Sequence, residues 1–66
     1  MGTLCVVWAM NRNGEWHYWG HREKHGHGWG VGSIFEMPQI EAIEFAKSTM
    51  SKVAWVWGIK VVVVDD

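Results

Sequence analysis

The chain has one cysteine and one proline among its 66 residues. A lone Cys5 excludes an intrachain disulfide framework. It lies in the apolar run LCVVWAM, where a thiol packs as a small hydrophobe. A single unpaired thiol also fits a reducing compartment, so a cytoplasmic setting is expected. Charge of one sign is scarce: the net charge is −1. Nucleic-acid binders carry a basic stripe, so a dedicated one is not expected. Residues 1–33 carry a net +1 and residues 34–66 a net −2, too small a contrast to steer a polyanion. Long hydrophobic runs are missing as well. The longest, VAWVWGIKVVVV, is interrupted by Lys60 and falls short of the roughly 20 residues a membrane-spanning helix needs. No basic segment followed by an apolar stretch and a small-residue cleavage site opens the chain, so no leader is expected. A chain of this length is read as one domain, residues 1–66.

Tryptophan is the excess. Trp8, Trp16, Trp19, Trp29, Trp55 and Trp57 make six. Each indole can bury roughly 150–250 Å². A domain this small hides only about 60% of the surface its unfolded chain exposes. One helix over one small sheet offers a single core layer, and six indoles exceed it. Some of them are therefore expected on a surface that meets a partner.

Residues 3–10, TLCVVWAM, are apolar without strict alternation, which suits a central strand covered on both faces. Asn13-Gly14 is a strong hairpin signal, because both residues tolerate positive φ. Residues 15–21, EWHYWGH, read as the returning strand. Gly26, Gly28, Gly30 and Gly32 then alternate through a segment that reads as a mobile loop, since strand interiors disfavour glycine. Residues 38–51, PQIEAIEFAKSTMS, predict one amphipathic helix opened by Pro38. Ile40, Ile43, Ala46 and Met50 trace its apolar stripe, widened by Ala42 and Phe45. Residues 53–64 predict a long strand, bent at Gly58 and closed by the charges of Asp65 and Asp66. The expected fold is α+β in the order β-β-α-β. Its sheet has three antiparallel strands in the order 2-1-3, with the helix on one face and the other face open.

The segment HREKHGHGWGVG, residues 21–32, invites several chemistries. His17 and His21 lie four apart on a predicted strand, about 13 Å at the usual rise, too far for one metal ion. His21, His25 and His27 are the set a transition metal would use, but zinc wants a fourth ligand, and only Cys5 could add one. A His-rich metal-binding loop is thus an alternative; no cofactor is expected. The glycines fit no G-x-G-x-x-G register, and no G-K-[ST] follows them, so a phosphate cradle is not expected. No nucleophile, base and carboxylate are arranged by spacing, and no enzyme is expected. Aromatic residues flanked by Arg12, Arg22 and Lys24 could stack single-stranded bases, a second alternative. Protein binding fits the composition best, because interface centres are rich in tryptophan, tyrosine and arginine. The expected contact uses Trp19 and Trp29 as anchors, Arg22 and Lys24 for orientation, and His21, His25 and His27 around them.

The stretch MPQIEAIEFAKSTMSKVAWVWGIKVV, within residues 35–64, resembles the helix–strand half of very short phage-encoded early proteins. Small phage inhibitors of bacterial RNA polymerase and some anti-CRISPR proteins share that layout. The resemblance lies in periodicity and carries over no functional residue. It implies a non-enzymatic inhibitor, acting in the host cytoplasm by binding and blocking a host protein. A homodimer is also expected, since a second copy could cover the open sheet face.

Overall fold

A computed structural model describes residues 2–64 of the chain. The order of elements is β1 (Leu4–Met10), β2 (Trp16–Arg22), β3 (Gly26–Trp29), β4 (Ser33–Ile34), β5 (Met37–Pro38), α1 (Gln39–Lys52) and β6 (Gly58–Val63). The fold is α+β, with an antiparallel sheet and one helix. Among the described residues it has six strands where three were expected. The charged end assigned to Asp65 and Asp66 lies outside the described residues. Among these residues, no helix is long and apolar enough to cross a membrane.

β1 is paired along both edges. One edge takes β6 over its whole length, Cys5 opposite Val63 through Met10 opposite Gly58. The other takes β2 at Trp8, Ala9 and Met10, and β5 at Leu4 and Cys5. β1 and β2 therefore splay apart beyond Trp8 and Tyr18. β4 and β5 fill the gap, β4 against Gly20 and His21 and β5 against β1.

The β1–β2 turn differs in detail from a two-residue Asn-Gly hairpin. The Gly14 N–H donates to the Asn11 carbonyl at 3.0 Å, and Gly14 alone in the turn takes a positive φ, +84°. The Asn11 side chain organises the rest: its Oδ1 accepts from the N–H groups of Asn13 and Glu15, each at 3.0 Å. This is a type I turn followed by a left-handed glycine, a common longer hairpin loop.

Part of the Gly-rich segment, Gly26–Trp29, is strand rather than loop. β3 pairs with β2, Trp19 opposite Trp29, Gly20 opposite Gly28 and His21 opposite His27. Gly26, Gly30 and Gly32 take positive φ, while Gly20 and Gly28 have a steric cause. Gly20 pairs with Gly28 on one edge of β2 and with Ile34 on the other. The chain must therefore cross the face of its own hairpin between β3 and β4. Val31 lies in that crossing: a Cβ on Gly20 would sit 1.9 Å from the Val31 carbonyl oxygen, and one on Gly28 would sit 2.8 Å from a Val31 methyl. The backbone clash leaves room only for glycine at position 20, whereas a side chain at position 28 would force Val31 to shift. The Tyr18 hydroxyl donates to the Gly32 carbonyl and fastens the crossing.

The helix buries Ala42, Ala46 and Thr49, with Phe45 half-buried beside them. That corrects the expected stripe: Ile40 is 73% exposed, and Ile43 and Met50 are exposed too. Trp19, Trp29, Phe35 and Phe45 already pack around the core of Cys5, Val7, Met37, Ala42 and Ala46. The helix consequently turns its smallest residues to the sheet. The expected strand over 53–64 is shortened as well. Residues 53–57 form a turn in which the Val56 N–H bonds the Val53 carbonyl at 3.3 Å, and β6 begins only at Gly58.

Candidate functional site

Alternation along the strands sorts side chains between two faces. On the helix-covered face stand Cys5, Val7 and Ala9 from β1, His17, Trp19 and His21 from β2, His27 and Trp29 from β3, and Ile59 and Val61 from β6. On the other face stand Val6, Trp8 and Met10, then Trp16, Tyr18 and Gly20, then Lys60 and Val62. None of the six tryptophans is fully buried: Trp8, Trp19 and Trp29 are half-buried, and Trp16, Trp55 and Trp57 are exposed.

The residues expected to make the partner contact divide into two groups. Trp19 and Trp29 face the helix. Their ring centroids lie 4.9 Å apart, and each approaches Phe45, at 4.8 Å and 5.8 Å. They clip the β2–β3 hairpin to α1. Arg22, Lys24 and His25 are exposed at the hairpin tip, where the His25 N–H donates to the Arg22 carbonyl at 3.2 Å. His21 and His27 connect the groups as cross-strand neighbours, 4.8 Å between centroids. His27 also stacks flat on Trp19, at 5.7 Å and 7°. His21 and His27 thus come together while His25 belongs to the turn. Among the described residues, no three His, Cys, Asp or Glu side chains are grouped as metal ligands.

The helix-free face collects aromatic residues that were not singled out as a site. Trp8 and Tyr18 are cross-strand partners, with rings edge-to-face at 5.7 Å. The Lys60 ammonium stands 4.3 Å from the Trp16 ring centroid and 5.8 Å from that of Trp8. Arg12 lies over Trp57, 5.9 Å from its ring. Such contacts contribute about 0.5–1 kcal/mol each at exposed sites. Each cation also keeps an exposed indole partly covered. The available signal was alternation: Trp16 and Tyr18 share one face of their strand, opposite His17 and Trp19. What it lacked was knowledge of which face the helix covers.

A third feature lies at the sheet end nearest the turns. Asn11, His17, Trp29 and Trp55 line an open cleft of about 350 Å³. The Trp55 ring stands perpendicular to Trp29, at 5.9 Å and 88°, and to His17, at 6.0 Å and 89°. The Asn11 Nδ2 group donates to a Glu15 carboxylate oxygen at 2.8 Å, which places an acid beside the cleft wall.

No protein-family model matches the chain, and no curated protein or solved structure is significantly similar to it.

Proposed function

We propose that this protein is a non-enzymatic protein-binding module that blocks a larger protein by covering part of its surface. One observation carries the reading: every one of the six tryptophans keeps some solvent exposure, and Trp57 is 63% exposed. Large aromatic and apolar side chains grouped on a sheet face are the usual anchors of protein contacts. The contact surface consists of Trp8, Trp16, Tyr18, Lys60 and Val62 on the helix-free face, and includes Trp57, exposed under Arg12. The hairpin tip, with Arg22, Lys24 and His25, adds charge that orients the encounter. Trp19, Trp29, His21 and His27 support that tip from behind. The target is proposed to be a host protein, RNA polymerase or a CRISPR effector being the kinds the resemblance of residues 35–64 suggests.

A homodimer would compete for the same face. Sedimentation velocity separates the two uses: a monomer at micromolar concentration leaves the face free for a target. The function itself is tested by affinity capture from bacterial lysate with the wild-type chain and a Trp16→Ala/Val62→Lys variant. A stoichiometric protein retained by the wild type and lost with the variant is expected, followed by direct binding of that purified protein. Equal retention by both chains overturns the assignment of the face. Oligonucleotides that quench tryptophan fluorescence in a salt-dependent way would replace the protein target with a single-stranded nucleic acid.

A further inference from the structure

We propose that the corner formed by Trp29, Trp55 and His17 binds a methylated ammonium group. The inference is independent of the protein-blocking reading and rests on a different surface, Trp29 alone being named in both. Perpendicular rings form a corner, and here Trp29, Trp55 and His17 wall the cleft together. Trp55 makes that junction twice, with Trp29 and with His17. The cleft they line, about 350 Å³, falls at the small end of ligand sites, which begin near 300 Å³.

The ligand's charge follows from a contrast among the indoles. Lys60 covers Trp8 and Trp16, and Arg12 covers Trp57. Trp19 is stacked under His27. Among the described residues, only Trp29 and Trp55 have neither a cation nor a parallel histidine over the ring; Trp29 stacks on Phe45 instead. Indole is the best aromatic partner for a cation, and quaternary ammonium groups are recognised by such aromatic walls. No lysine or arginine lines the cleft, whereas Glu15 is hydrogen-bonded to its wall through Asn11. Both points favour a positive guest over a neutral or anionic one. A methylated ammonium suits these walls better than a primary amine, because its charge is spread over carbon-bound hydrogens and sheds little water on entering.

The probes are choline, its uncharged isostere with carbon in place of nitrogen, and a short peptide carrying trimethyl-lysine or plain lysine. Indole N–H signals of the full chain are followed by NMR during each titration. Choline or the trimethyl-lysine peptide should shift the Trp29 and Trp55 signals saturably, with the isostere and the plain peptide about tenfold weaker. Choline binding would point to a free small molecule; binding of the methylated peptide alone would point to a modified protein. Trp55→Ala should abolish the response at Trp29. If that variant fails to fold, Trp55→Leu keeps apolar bulk, removes the π face and should lose the preference for charge. Equal binding of choline and its isostere, or no saturable shift with any probe, overturns the proposal.

Discussion

The two faces of the sheet use the same residue types to different ends. On the helix-covered face, Cys5, Val7 and Ala9 are fully buried, and the aromatic side chains of Trp19, Trp29, Phe35 and Phe45 close around them. Among the described residues of the helix-free face only Val6, at 1% exposure, and Gly20 are buried; Trp8, Met10 and Tyr18 stop halfway, and Trp16, Lys60 and Val62 remain exposed. A core of small residues leaves little room for indoles. The covered face places its two at the margin, under Phe45, and the free face holds its own under Lys60. A domain this small meets its packing need with aromatics at the edge of one layer and leaves the surplus outside.

Substitutions can break that contrast. The largest effect is expected where the free face itself is packed tightly. Gly20→Val would drive a side chain into the Val31 carbonyl and should cost about 3 kcal/mol or more. A domain of this size has roughly 3–10 kcal/mol in total, so urea unfolding should find the variant largely unfolded. Next comes a matched pair on the two faces. Val7→Ala, beneath the helix, should cost about 2 kcal/mol, and Val62→Ala, on the free face, under about 1 kcal/mol. Equal losses in urea midpoints would erase the distinction between the faces. Lys60→Ala should remove only the cover over Trp8 and Trp16, about 0.5–1 kcal/mol, and make Trp16 more accessible to acrylamide quenching. Ile40→Gln, on the outer side of the helix, should change stability by less than about 0.5 kcal/mol, read from the same denaturant curves.

The antiparallel sheet, the single helix and the turn at Gly14 were legible because each rests on local chemistry. Pro38 stands at the N-cap, and Lys52 closes the helix one residue beyond the expected end. The glycine alternation misled for a physical reason. Gly20 and Gly28 answer to Val31 crossing over them, and the contact with Gly20 joins separate strands in a way local propensity does not encode, while Gly26, Gly30 and Gly32 take positive φ. The helix stripe misled similarly: Ile40, Ile43 and Met50 are the stronger hydrophobes, but the layer beneath was already filled by aromatics, so Ala42 and Ala46 won the inner side. Residues 53–57 have strand-forming composition, yet they make the turn that carries the chain from the helix to β6 and sets Trp55 beside His17. The surplus of tryptophan was plain from composition. Its division between a clip under the helix and a free face required knowing which side the helix takes.

The most direct measurement is the relaxation of the six indole N–H signals by a soluble paramagnetic agent, on dilute protein by NMR. We expect Trp57 and then Trp16 and Trp55 to relax strongly, with Trp19 and Trp29 clearly slower behind Phe45. Uniform protection of all six would mean that the indoles are already occupied within the molecule or its own oligomer, and would contradict a surface kept open for a partner.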